Sequence, residues 1–302
     1  MRIRKAGKIT DNLWLLGTEE SCVYLLEGSS SAAIISAGMN YIIPDVLRQI
    51  TAFGIAQNKI AHMIILHAHF DHVGIVPYFK RNYPQLNICA SQRGWEVLAK
   101  PKTIEVINQY SMLVTKKVAG ALGKISAIDW EWRDDVRGSA LKDGDKIDLG
   151  GMTIDIYETP GHSSCSITAY APQLQALFPS DAAAIPFKNE IIPVPNSSFI
   201  LYRQSLEKLN KLPVSIIGCD HYGYITGAEA AGYIDATIAA TVAMRRKFAR
   251  ALNKSGSIDR AAALLVIEHF KDNPDYFIAP EILTGVYSQM LKSIISEESK
   301  PN

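Results

Sequence analysis

Hydrophobic and polar positions along the chain alternate between short apolar runs and longer stretches with helical spacing. Residues 13–16, 22–26 and 32–35 are apolar runs punctuated by Gly17, Gly28 and Gly38, which predicts buried strands joined by turns. Gly28-Ser29-Ser30-Ser31 between the last two reads as a hairpin loop. Residues 44–53 place Val46, Leu47, Ile50 and Phe53 at helical spacing, with Pro44 suited to the first turn and Gly54 to the end. His62-Met63-Ile64-Ile65-Leu66 is too short for a helix and apolar on both faces, so it is expected to be a central strand.

The middle of the chain changes period. Ile104, Ile107, Met112, Val114 and Val118 recur with no breaker before Gly120 and Gly123, predicting one long helix over 102–123. Strand signals return at 146–149, 152–157, 167–170 and 175–178, with Gly144 and the Gly150-Gly151 pair as turns. A helix over 198–212 precedes another buried strand at 214–217. After Gly227 strand signals stop, and 228–254, 258–271 and 280–296 read as helices punctuated by Pro274 and Pro280. No fixed-period repeat and no low-complexity linker occurs, so this tail is expected to pack on the main body.

Composition narrows the classes of function. The 302 residues carry 31 Lys+Arg against 30 Asp+Glu, a formal charge of +1, which gives no electrostatic reason to expect nucleic acid or an anionic membrane as partner. Hydrophobic content of 48% suits a globular chain long enough to need no disulfide staples. Cys22, Cys89, Cys165 and Cys219 are scattered and form no CxxC pair, which reads as reduced thiols. The basic start at residues 2–5 is not followed by the apolar stretch of a secretory signal, and no window resembles a membrane span. A cytoplasmic location is therefore expected. Arg245-Arg246-Lys247 with Arg250 is a basic patch that reads as a solvated helix face.

Chemistry concentrates in three loops, each after a predicted strand, that hold five of the seven histidines. In His67-Ala68-His69-Phe70-Asp71-His72, residues two apart on an extended chain point the same way, so His67 and His69 can grip one ion. Asp71 and His72 fall where the chain turns, within reach of a second. Pro160-Gly161-His162 is a sharp turn presenting an imidazole, and Cys219-Asp220-His221 is the third loop. Phe178-Pro179-Ser180-Asp181 adds a carboxylate at another strand end. Five imidazoles and two carboxylates suit zinc, iron or manganese better than calcium. A single strand-end histidine is ordinarily a surface or hydrogen-bonded residue, and His62 and His269 are read that way; three within six residues around an aspartate are not. Cys165 and Cys219 flank ligand histidines and are read as small buried packing residues.

With those motifs in place, the chain resembles the metallo-β-lactamase superfamily. His67-x-His69-x-Asp71-His72, Pro160-Gly161-His162-Ser163, Asp181 after an apolar strand and His221-x-Gly223 match its pattern in order across residues 8 to 225. The resemblance implies an α/β fold, an αβ/βα four-layer sandwich with an inserted helix at 102–123 and a C-terminal helical tail. It implies a catalytic domain over 1–227 and a helical extension over 228–302. It also implies that His67, His69 and His162 hold one metal, that Asp71, His72 and His221 hold another, and that Asp181 bridges them. Two departures stand out. Ser36-Ala37-Gly38 occupies a place where the family often has Asp, which predicts a missing carboxylate partner. Ser180 precedes Asp181 where Gly is usual, which predicts a tightened backbone.

Within the superfamily, a flavodiiron-type relative would have Glu at His69, and the overall charge gives the tRNA-processing branch little support. The chain is most similar to the quinolone-signal-response thioesterase and glyoxalase II-like branch. That likeness implies two divalent transition-metal ions (zinc or iron, with manganese also suited) that generate hydroxide for attack on a thioester or carboxylic ester, with Asp71 and Asp181 as catalytic carboxylates. A phosphodiesterase and a regulatory binding protein with a structural metal site are the alternatives. The expected partner is a small acyl substrate, in a pocket walled by residues such as Phe70, Tyr110, Met112 and Phe187, and a homodimer through the tail is anticipated.

Overall fold

The apolar runs become strands because β-branched and aromatic side chains fill both faces of a buried pleat. A computed structural model describes residues 1–118 and 120–299. The described chain divides into two compact units. One comprises 1–158, 165–180 and 213–231; the other comprises 159–164, 181–212 and 232–302.

The first unit contains β1 (Arg2–Ile3), β2 (Gly7–Lys8), β3 (Leu13–Gly17), β4 (Cys22–Glu27), β5 (Ala32–Ile35), β6 (Ile60–Ile64), β7 (Asn87–Ser91) and β8 (Ser139–Leu141). It continues with β9 (Lys146–Asp148), β10 (Thr153–Glu158), β11 (Ile167–Ala171), β12 (Ala176–Phe178), β13 (Ile216–Gly218) and β14 (Tyr224–Thr226). Among the described residues these form two seven-stranded sheets, ordered β2-β3-β4-β5-β6-β7-β8 and β1-β14-β13-β12-β11-β10-β9. In the first sheet β5 through β8 run parallel, and β6 is interior between β5 and β7, as the central-strand expectation required. Leu13, Leu15, Leu26 and Ile35 of one sheet and Ile154, Ile156, Ile167 and Phe178 of the other form one shared core. The rings of Tyr24 and Phe178 meet there at 5.0 Å. Burying such aromatic and aliphatic side chains contributes about 1.5–3 kcal/mol each.

The first unit's helices are α1 (Ile43–Ala52), α2 (Val76–Asn82), α3 (Gln92–Leu98), α4 (Pro101–Lys117) and α5 (Ala121–Ile125). The single helix expected over 102–123 is thus interrupted. α4 ends where Val118 turns extended (φ −84°, ψ 119°), and Gly120, left-handed at φ +72°, starts α5 afresh as its N-cap. Pro101 opens α4 because a first-turn residue needs no N–H partner. Ile107, Ser111 and Thr115 are its buried face, and Thr115 Oγ1 donates to Asn40 Oδ1 at 3.0 Å.

The second unit holds α6 (Phe199–Leu209) and, after α7 (Ala228–Ala231) of the first unit, α8 (Tyr233–Ser255), α9 (Ile258–Asp272) and α10 (Pro280–Glu298). Ser198 and Ser257 cap α6 and α9, each hydroxyl accepting a backbone N–H of the first turn. Phe248, Leu265, Tyr287, Met290 and Ile294 supply its buried apolar side chains. The two sheets and accompanying helices are the α/β sandwich expected, with the C-terminal helices present.

Candidate metal centre

In the first unit the chain leaves β6 still extended. Ile65 N–H donates to Cys89 C=O at 2.7 Å and Leu66 C=O accepts from Ile167 N–H at 2.8 Å, so the two residues before His67 are tied to strands of both sheets. Phe70-Asp71-His72 then forms a single 3₁₀ turn. This brings the His67 ring 4.7 Å from that of His69 and 4.0 Å from that of His72. His221, between β13 and β14, presents its ring 5.1 Å from that of His72. The Nε2 atoms of His72 and His221 lie 3.5 and 3.8 Å from Asp71 Oδ2. Asp71, His72 and His221 each offer one ligand atom, all within 4.8 Å of one another, and all three residues are buried.

The other nitrogen of each ring is oriented from outside. His221 Nδ1 is 2.6 Å from Glu20 C=O, and His72 Nδ1 is 2.7 Å from Asp220 Oδ2. An imidazole donating through Nδ1 keeps its lone pair on Nε2, the side that faces Asp71. Asp220, with its side chain only 1% exposed, is a member of this site that the sequence pattern did not single out. It stands beside a ligand, and nothing in its immediate neighbours marks it.

Both departures from the family pattern converge on that carboxylate. Ser36 Oγ donates to Asp220 Oδ2 at 2.8 Å, and Ser180 Oγ donates to the same oxygen. Ser180 Oγ also lies 3.2 Å from His67 Nδ1. The carboxylate partner expected to be missing at Ser36 is therefore supplied from the opposite sheet by Asp220, with Ser36 as one of its donors. Ser36 and Ser180 adopt φ +68° and +50°. That conformation costs a non-glycine residue about 1–2 kcal/mol. A hydrogen bond to a charged group returns about 1.5–3 kcal/mol, which offsets it.

In the second unit His162 and Asp181 come together, His162 Nε2 lying 3.4 Å from Asp181 Oδ2. His162 Nδ1 is 2.7 Å from Val194 C=O, again leaving the Nε2 side as the lone-pair face. Gly161 precedes it with φ +135°, and a Cβ there would come within 2.2 Å of Tyr202 N, so only glycine lets the first turn of α6 pass. Peptide bonds 158–159, 164–165 and 180–181 join these loops to the first unit.

Other sequence-flagged residues fall outside the ligand set. Phe70 meets Tyr110 of α4 edge-on at 5.5 Å, and Phe187 meets Tyr276 at 5.2 Å in the second unit. Cys165 and Cys219 are both 4% exposed, as packing residues should be. Burial pushes the Cys89 thiol up to about 11 and the Cys22 thiol higher still, so neither is a ready nucleophile. The basic patch on α8 is compensated by acids, Arg245 facing Glu297 and Glu298 at 3.8 and 3.5 Å and Lys247 facing Glu268 at 3.1 Å. Among the described residues, no helix is long and apolar enough to cross a membrane.

The donor set is nitrogen and carboxylate oxygen, buried apart from the half-buried His69, with the rings of His72, His162 and His221 oriented by carboxylate or backbone acceptors, and it fits a divalent transition metal. Comparison with known proteins agrees. The chain is 23% identical over 210 residues to the metallo-beta-lactamase fold-containing protein ST1585 of Sulfurisphaera tokodaii, spanning 69% of this chain and 75% of the other. The solved structure of ST1585, named there from Sulfolobus tokodaii, superposes with a TM-score of 0.57 at 19% identity, over 78% of this chain and 99% of that one. The metallo-beta-lactamase family protein TTHA1429 of Thermus thermophilus superposes with a TM-score of 0.68 at 15% identity, over 96% and 95% of the two chains. The inverting sec-alkylsulfatase Pisa1 of a Pseudomonas species reaches 0.64 at 13% identity, over 98% of this chain and 50% of its own. Fold likeness at these identities does not carry a substrate with it. Family and ligand groups together support a metal-dependent hydrolase. Residues 17–221 match the Metallo-beta-lactamase superfamily, and the chain belongs to it.

Proposed function

We propose that the protein hydrolyses a thioester or carboxylic ester at a centre of two divalent transition-metal ions, zinc or iron being the best suited. The observation that carries the reading is the buried Asp71–His72–His221 group with its Nε2 atoms turned toward the carboxylate. In this reading Asp71, His72 and His221 hold one ion, His67, His69 and His162 hold the other, and Asp181 serves both. Such ions, when bound, supply Lewis acidity that brings the ionisation of water toward neutral pH.

The chain's own residues do the rest. Glu20 C=O, Asp220 and Val194 C=O fix the rings of His221, His72 and His162, so that no reorientation is needed at the moment of reaction. Asp181 would orient the attacking water, and Asp71 would hold the two imidazoles beside it in register. The Phe70–Tyr110 pair, whose rings meet edge-on, makes the chain around His69 and Asp71 apolar, and an apolar surrounding would favour an acyl chain over a hydrated phosphodiester.

The test is a panel of thioester, carboxylic ester and bis-aryl phosphodiester probes on protein loaded in turn with zinc, iron(II) and manganese(II). Turnover of the acyl probes, lost in Asp181→Asn, is expected. Turnover confined to the phosphodiester would replace this reading with the phosphodiesterase one. Inactivity on all three, with metal retained, would favour a regulatory binding protein.

A further inference from the structure

The loop bearing His162 is anchored inside the second unit by the start of α6. Gly161 C=O accepts from the N–H groups of Ser197 and Ser198 at 2.9 and 3.0 Å. Ser197 Oγ donates to His162 C=O at 3.1 Å, and Ser205 Oγ donates to Pro160 C=O at 2.7 Å. Ser198 is also the N-cap of α6, its hydroxyl accepting from Leu201 N–H at 3.1 Å.

That cap is in turn held by the far end of the chain. Ser198 Oγ donates to Glu297 Oε1 at 2.6 Å, and Ile200 N–H donates to the same oxygen at 3.0 Å. Glu297 Oε2 lies 3.8 Å from Arg245 Nε of α8, and the side chain is only 8% exposed. The position is locally unfavourable, because Glu297 occupies the last turn of α10, where the helix dipole disfavours a negative charge. It is favourable only with respect to α6, whose N-terminus stabilises an anion and whose first N–H groups need acceptors. A carboxylate placed against its own helix and in favour of another points to a tertiary role.

We infer that Glu297 is a positioning residue for the metal centre: through Ser198 it fixes the turn that presents His162. The C-terminal helices are thereby part of the ligand scaffold. The inference rests on the reading of His162 as a ligand.

The experiment measures zinc affinity by chelator competition on the full chain, together with amide exchange of the metal-free protein. Glu297→Ala and Ser198→Ala are expected to weaken zinc binding about 10-fold, the low end for residues supporting a ligand. They are also expected to speed exchange at Ser198, Ile200 and Leu201 at least several-fold without metal. Glu297→Gln, which keeps an acceptor, should stay close to wild type, and Glu298→Ala, a neighbour 57% exposed, should not differ from it. His162→Ala in the same titration separates the two layers. If it leaves affinity unchanged, the ligand assignment fails. If it weakens binding while Glu297→Ala and Ser198→Ala stay within twofold and their amides are unaltered, the positioning role is overturned. Should Glu297→Ala not fold, Ser198→Ala decides the same question by zinc affinity and by exchange at Ile200 and Leu201.

Discussion

The two groups of candidate ligand residues are held in place differently. Asp71 and His72 sit in a 3₁₀ turn and His221 in the β13–β14 connection, and the rings of His72 and His221 are held by a buried carboxylate and a backbone carbonyl in the same unit. His162 sits on a loop, its ring held by Val194 C=O and its backbone by Ser197, just ahead of α6. Connections tied to two packed sheets are rigid because moving them means repacking both; a loop is only as fixed as the contacts that hold it. The difference teaches that the group built on the two sheets carries its support within the first unit, while His162 is held in the second by the residues that start α6.

The sharpest way to break that contrast is to remove a candidate carboxylate from each group. Asp71→Asn and Asp181→Asn should each lower turnover by about 10²–10⁴-fold, the several kcal/mol that charge stabilisation at a metal supplies, with the fold intact by circular dichroism. Wild-type-like rates in either would contradict its role. Core truncation comes next. Phe178→Ala, at a fully buried position shared by both sheets, should destabilise the first unit by about 3–5 kcal/mol in denaturant titration. A loss below ~1 kcal/mol would mean the sheets do not share the core described.

A smaller effect tests the carboxylate behind His72. Asp220→Asn should lower metal affinity about 10–100-fold while leaving the ligands in place. Ser180→Gly separates strain from bonding at the same spot. It relieves a left-handed serine but removes one donor to Asp220, so stability should change by less than about 1 kcal/mol while affinity falls. A rise in affinity would show that the strain, not the hydrogen bond, dominates.

The smallest effect is on pH. Burial holds the His62 and His269 imidazoles below their ordinary 6.5, so the unfolded chain takes up protons first as pH falls. Their contribution is fully present above pH 6.5 and is lost as pH drops from there through the folded values. His269→Gln should therefore flatten the fall in melting temperature between pH 7 and pH 5 relative to wild type. An unchanged slope would remove His269 from that account.

Much of this was legible in the sequence, for identifiable reasons. Strands Leu13–Gly17, Cys22–Glu27 and Ala32–Ile35 are apolar on both faces, a pattern few other structures produce. Arg2–Ile3, Gly7–Lys8 and Tyr224–Thr226 were not visible, because two or three residues carry no period and exist as strands only through their neighbours. Asn87–Ser91 was missed because its polar ends hide a buried centre. The helix expected over 102–123 stops at Lys117 because the backbone turns extended at Val118, which the apolar spacing does not register. At the candidate site, histidines and aspartates clustered in sequence announce themselves. Asp220 does not, since its meaning arises only when Ser36, 184 residues away, and Ser180 meet it across the core.

The most direct test of the central claim is metal content. Protein purified without added metal and analysed for zinc, iron and manganese should hold about two ions per chain, falling to about one in His162→Ala. A wild-type chain that carries only traces, and takes up none in equilibrium dialysis against excess zinc, would contradict the account.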